Sequence, residues 1–298
     1  MNVNITKNIT KQFILNFSYT HSSDFRSSIT RNINAPLAGT YNILNPDVSI
    51  YPSGSTGNIY KTSSIGKSIS DRIFISPKLP RFKILKYGGF FNVNYSFGKS
   101  KSNSVNGSGS SFDPYDFSNE YSPTSSDGIH SLNLLYFQNL PFNSRMSLSW
   151  SKRSGSRFNI TTRQDTNGDS YYLERPSFAS NPNKVGVITT KYGSLDPNPS
   201  FGDQIIPRNF GRGPSVTDTN FSFNKIFELN KDPKTKKSKQ DFTLNISISN
   251  LFNINNKGVP VGNMSSPNFV KFLNNSSELN GGYLSTPRSF NFSLNFSF

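Results

Sequence analysis

The chain has 298 residues, no cysteine, and a formal net charge of +15 from 32 Lys and Arg against 17 Asp and Glu. Disulfides and thiolate metal sites are thereby excluded. Hydrophobic residues reach only 33%, below the ~45–50% apolar share of a globular domain even with the 21 Gly added, yet 27 Phe and 13 Tyr lift the aromatics to 14%.

At the N-terminus "MNVNITKNIT" has no apolar h-region behind a charged start, so no signal peptide is expected there. No run along the chain approaches the ~18 consecutive apolar residues of a membrane helix. Side chains in a strand alternate between faces, and that period recurs instead. "FILNFSY" aligns Phe13, Leu15, Phe17 and Tyr19, and "FFNVNYSFG" sets Phe91, Val93, Tyr95 and Phe97 against Asn92, Asn94 and Ser96. "HSLNLLYF" supplies Leu132, Leu134 and Tyr136, then the short "NLPFNS" at 139–144 turns the chain into "RMSLSWS" with Met146, Leu148 and Trp150. "NFSFNKIF" follows with Phe221 and Phe223, and "DFTLNISISNLF" with Phe242, Leu244, Ile246 and Ile248. The end is "RSFNFSLNFSF", with Phe290, Phe292, Leu294, Phe296 and Phe298 on every second position and Asn291, Ser293, Asn295 and Ser297 between them.

Helical i, i+3, i+4 spacing is nowhere sustained, so the fold class is all-β. One apolar and one polar face per strand suits either a half-buried soluble sheet or a membrane barrel with lipid outside and a wet lumen. The long polar segments at 100–127, 163–217 and 253–287 favour the barrel, since loops beyond ~12–15 residues are uncommon in compact soluble domains but normal on a barrel's outer side. The expectation is an antiparallel transmembrane β-barrel of roughly ten strands with short inner turns and long polar outer loops. Phe91, Leu132, Leu148, Phe242, Leu244 and Phe292 then face lipid, and Asn92, Ser149, Asn245 and Ser293 face the lumen. The terminal row Phe290, Phe292, Leu294, Phe296 and Phe298 reads as a closing strand and a barrel-assembly signal.

The basic charge invites a nucleic-acid reading, but the one dense run, "KDPKTKKSK" at 231–239, lies between two strands and reads as a solvated turn. No nucleic-acid partner is expected. "DTNGD" places Asp165, Asn167 and Asp169 at alternating positions, as in the first half of a calcium loop. Ser170 stands where that loop needs Gly, and Glu174 falls short of the bidentate position. An Asx-rich turn and a calcium site both fit, and no other cofactor is expected. "FGRGP" at 210–214 precedes a strand and not a helix, so it reads as a loop, with Arg208 and Arg212 facing either the lumen or acidic headgroups. His21 and His130 sit in strands with no nucleophile beside them, so no enzyme activity is expected.

Longer phrases carry a resemblance. "RNINAPLAGTYN" (31–42), "GNIYKTSS" (57–64), "SFDPYDFSNEYSP" (111–123), "RFNITTRQDTNGDSYYLERPSFA" (157–179), "GSLDPNPSFGDQIIPRNFGRGP" (193–214) and "NLFNINNKGVPVGNMSSPNF" (250–269) stand in one order. Over about residues 32–298 they resemble the C-terminal barrel of Oar-like TonB-dependent transporters, the kind with an N-terminal carboxypeptidase-regulatory-like domain. The resemblance implies a bacterial outer-membrane barrel of 22 strands around a plug, moving a ligand with energy relayed by TonB. Only about half those strands are expected here, with no plug, TonB box or signal peptide. Residues 1–298 therefore read as the C-terminal portion of such a barrel. Its partners would be a missing N-terminal plug and barrel half, TonB through that plug, the barrel-assembly machinery and outer-membrane lipid. The second reading is a self-contained small outer-membrane barrel acting as a surface adhesin or structural protein.

Overall fold

A computed structural model describes residues 1–84, 86–104, 114–115, 120–200, 202–231, 238–272 and 287–297. Phe298 and the central part of the 231–239 basic run lie outside the described residues. Among those described there is no α-helix; a 3-10 turn stands at Pro46–Val48. The strands, in chain order, are β1 (Asn2–Asn8), β2 (Ile14–Asn32), β3 (Tyr60–Lys78), β4 (Phe82–Ile84), β5 (Tyr87–Ser102) and β6 (Ser122–Pro123). They continue as β7 (Ile129–Leu140), β8 (Ser144–Arg153), β9 (Arg157–Phe158), β10 (Ser177–Phe178), β11 (Ile188–Thr190) and β12 (Gly193–Asp196). The last are β13 (Gly211–Arg212), β14 (Val216–Lys231), β15 (Ser238–Ser249) and β16 (Ser289–Ser297).

The main sheet runs β1-β2-β3-β5-β7-β8-β14-β15-β16, with β4 and β6 pairing onto β5, and every pairing is antiparallel. Among the described residues the path thus holds nine strands against the ten or so expected. Two of them carry weak patterns: β1, and β3, whose polar first half hides the alternation that emerges at Ile73 and Ile75.

The connections sort by length. β1–β2, β3–β5, β7–β8 and β14–β15 join at one end through short links, of which Pro141–Asn143 turns with Phe142 and Asn143 at φ 57° and 53°. Left-handed residues there match the right-handed twist of the flanking strands. At the other end β2–β3, β5–β7, β8–β14 and β15–β16 are joined by long segments. β1 and β16 consequently both run toward the short-turn end, because an antiparallel path of nine strands begins and ends in the same direction.

The register largely separates apolar from polar side chains, with Phe74, Phe90, Leu135 and Phe137 on the polar face and Lys225 on the apolar one as departures. Phe91, Tyr136, Leu148, Phe221, Ile248 and Phe290 lie abreast across β5, β7, β8, β14, β15 and β16. On the opposite face Asn94, Asn133, Ser151 and Asp218 lie abreast, as do Arg145, Asn224, Asn245 and Ser293. Aromatic rings gather in the short-turn half of the apolar face: Phe82, Phe91 and Tyr136 cluster, with Phe91 and Tyr136 centroids 5.0 Å apart, and Phe227 meets Phe242 at 5.7 Å. Toward the long loops the same face turns polar, where His21 meets Asp71 at 2.8 Å and the Tyr95 hydroxyl meets His130 Nδ1 at 2.7 Å. On β8 the apolar stretch fits between Phe142 and Lys152, about the 9–11 residues of a tilted membrane crossing.

Among the described residues no buried apolar layer backs these crossings. The buried hydrophobic residues are Ile29, Ala35, Phe158, Ile160, Leu195, Ile206, Met264 and Phe269, all in the long-loop half of the molecule. A one-layer wall needs no second sheet when lipid covers its apolar face. The loops do need a core of their own, and they build one: Phe158, Ile160, Leu195, Ile206, Met264 and Phe269 pack with Phe178, Tyr192, Phe210 and Val259. Segments that read as polar loops in the sequence therefore fold into a cap. Truncating Leu195, fully buried at its centre, to Ala should cost the cap ~2–5 kcal/mol. We predict faster proteolysis within residues 154–215 and an unchanged heat-modifiable barrel, and equal cleavage of wild type and variant would remove the cluster from any role in ordering the loops.

Candidate functional site: the lumen face and the loop cap

The polar face lines a recess of about 400 Å³ bounded by Asn92, Asn94, Asn133, Ser149, Asp218 and Asn220. These are strand positions, set one residue out of phase with the apolar row. Asn92, Ser149, Asn245 and Ser293 all fall on this face, and Phe91, Leu132, Leu148, Phe242, Leu244 and Phe292 on the other. Residues 250–256 approach from above: the Asn250 N–H donates to Asn220 Oδ1 at 3.1 Å, and Asn256 brackets Thr217 with two hydrogen bonds of 2.8 Å.

The terminal row is more exposed than the apolar positions in the middle of the sheet, with Phe292 at 65% and Leu294 at 63%. It borders a strand that has one partner, β15, among the described residues.

In the cap, charged side chains knit the loops together. Arg175 and Glu120 form an ion pair with both side chains 5% exposed. Arg157 Nε reaches Asp127 Oδ2 at 3.0 Å, and Arg208 donates to the Ser102 carbonyl. Arg212 donates to the Asp127 and Gly128 carbonyls at 2.9 and 3.1 Å. Arg208 and Arg212, open between lumen and headgroups in the sequence, thus hold backbone at the junction of the β5–β7 and β8–β14 segments. A cleft of about 430 Å³ opens between residues 156–163 and 259–263, with Arg157, Arg163, Asn159 and Asn209 among its polar walls. That volume lies within the ~300–1,000 Å³ of small-molecule sites. Both flanks contribute backbone: the Thr161 N–H donates to Gly262 O, and the Met264 N–H to Thr161 O, each at 2.9 Å.

The calcium-like stretch folds as a compact turn. Asp165 accepts from the N–H groups of Gly168 and Ser170 at 2.6 and 3.0 Å, and Asp169 Oδ1 accepts from the Tyr171 N–H at 2.8 Å. Asn167 turns its carbonyl oxygen to the Asp169 N–H at 3.0 Å. The side chain that joins the two aspartates is Glu174: one carboxylate oxygen from each of Asp165, Asp169 and Glu174 lies within 4.8 Å of the others. Spacing alone hid Glu174, since it sits at no loop position that a linear motif assigns to a ligand.

An antiparallel sheet with one largely apolar face, one largely polar face, short turns at one end and a folded loop cap at the other defines a transmembrane β-barrel protein. The sequence model of the outer membrane beta barrel domain family matches residues 1–280, and the chain belongs to that family. Its location is the bacterial outer membrane. No curated protein matches the chain.

Proposed function

We propose that the chain is the C-terminal barrel-wall and ligand-loop portion of a TonB-dependent transporter, completed by an N-terminal plug and further strands. The observation that carries this reading is the strand parity. β1 and β16 run in the same direction, so joining them directly would make a parallel seam. Bacterial single-chain barrels are antiparallel with even strand counts, so an odd number of further strands must lie between these edges. Adding a second copy does not help, because rotation about the membrane normal leaves every β1 and β16 pointing the same way. The 22 strands implied by the Oar-like resemblance leave 13 beyond the nine seen here, an odd number. A lumen that wide requires a plug, and the polar face with its Asn-rich recess is the surface such a plug would meet. The β16 row, ending toward the short-turn side, serves in this reading as the barrel-assembly signal.

The test is a photocrosslinking residue in native outer membranes, placed at Ser149 on the polar face or at Leu148 on the apolar face. Ser149 should capture a plug domain and Leu148 should not. A polar face that captures nothing, in a chain that runs as a self-contained barrel, would favour the adhesin reading instead.

A further inference from the structure

We infer that Asp165, Asp169 and Glu174 bind a divalent cation of the calcium class that clamps the β8–β14 loop to the β2–β3 loop. Three carboxylate oxygens within 4.8 Å of one another match the reach of one ion, since calcium holds oxygens at about 2.3–2.6 Å and opposite ligands are then roughly 5 Å apart. The oxygen-only donor set is that of a hard cation.

A cluster of acids on a surface would repel and spread into water. This one does not. Glu174 is 3% exposed and Asp169 is 2% exposed, and Glu174 Oε2 is buried with no hydrogen-bond partner among the described residues. A buried carboxylate oxygen without a partner costs free energy that a bound cation would return. Burial pushes the Glu174 carboxyl up to about 8, and the charged side chains that weigh on it, Asp169 and Asp165, push the same way. The backbone N–H groups of Glu174 and Thr166 oppose that rise without cancelling it.

The neighbourhood explains what the ion would do. Asn58, from the β2–β3 segment, donates to Ser170 Oγ at 2.8 Å, and the Tyr60 and Tyr171 rings meet edge to face at 5.8 Å. Gly168, at φ +73°, lies under the Tyr41 ring so closely that a Cβ there would stand 2.6 Å from Cδ2. Asn32, at the end of β2, donates to the Asp169 carbonyl at 3.4 Å. The three carboxylates therefore sit at the seam between two outer loops that are far apart in sequence, and neutralising them would lock that seam.

The experiment uses the full chain in its assembled barrel, purified from outer membranes in detergent and stripped with EDTA. Ca²⁺ and Mg²⁺ are titrated by calorimetry, and Tb³⁺ by luminescence sensitised by the tyrosines at the seam. We expect one calcium per chain, with a dissociation constant on the order of 10⁻⁴ M as for extracellular calcium modules. Calcium should also slow proteolysis within residues 163–174. Glu174→Gln and Asp165→Asn should each weaken binding about tenfold or more, because affinity follows ligand charge, while exposed Gln164→Ala should leave it unchanged. Glu174→Gln keeps the shape and removes the anionic ligand a cation would draw out, so heat-modifiability should persist; if that variant does not assemble, Asp165→Asn carries the test. No one-to-one binding, or binding that both substitutions leave intact, overturns the inference. Neither result bears on barrel completion, which the crosslinking tests separately.

Discussion

Expressed alone behind an added export signal, residues 1–298 should fail to accumulate as a protease-resistant, heat-modifiable outer-membrane barrel. Co-expression with an N-terminal part that supplies a plug and an odd number of strands should restore accumulation. The reason is the state of the two edges. Among the described residues β1 pairs only with β2 and β16 only with β15. In hydrocarbon each unsatisfied N–H or C=O costs several kcal/mol, so a few along each edge exceed the ~5–15 kcal/mol by which a folded domain is ordinarily stable. Closing the sheet on itself would not cure this cheaply, since β1 and β16 would have to pair in parallel. The measurement is the heat-shifted band in outer-membrane fractions with and without the partner segment. A stable heat-modifiable monomer of the chain by itself would sink the split-barrel reading and leave the small self-contained barrel in its place.

The second large effect separates the two faces at neighbouring positions. Leu148 lies mid-way along β8, abreast of Tyr136 and Phe221, with Met146 and Trp150 on the same face. Ser149, one residue on, lies abreast of Leu135 and Asn220 and lines the polar recess that also contains Asp218. An Arg on a barrel's lipid face at the midplane costs ~2–4 kcal/mol, which is roughly a 30- to 1,000-fold shift in the folding equilibrium. In the assembled barrel we predict that Leu148→Arg loses most folded protein, whereas Ser149→Arg, hydrated and near Asp218, stays close to wild type. Leu244 is the weaker probe, because it stands abreast of Lys225, whose ammonium reaches the Phe142 carbonyl in the short turn near the interface. Equal folded yields from Leu148→Arg and Ser149→Arg would mean that the faces are assigned wrongly.

The cap shows how the long loops of a barrel of this kind gain a packed core of their own. Its short strands are two to four residues long and have little stability of their own. They are ordered by the Phe158–Leu195–Ile206 cluster and by arginines that hold carbonyls of neighbouring segments. Three of the longest phrases that resemble the Oar-like family, 157–179, 193–214 and 250–269, fall, where described, outside the crossing strands, whereas 57–64 runs into the start of β3. That distribution has a physical cause. A membrane strand asks only for an apolar residue at every second position, which many sequences satisfy, whereas a packed cap needs particular residues at particular places.

By itself the sequence determined the wall. Period-2 alternation in "RMSLSWS", "DFTLNISISNLF" and "NFSLNFSF" settled strand, face and phase together, because one local rule governs all three. β1 and β3 were harder to read, since much of each stands among polar residues and carries too little apolar contrast. What only the tertiary structure decided were the relations between distant residues. It counted nine strands and so gave the edges their shared direction, it folded polar-looking segments around Leu195 and Ile206, and it turned Arg208 and Arg212 inward to backbone carbonyls. It also brought Glu174 to Asp165 and Asp169 where linear spacing pointed to Asn167. These depend on contacts between segments tens of residues apart, and no local period encodes which loop will meet which.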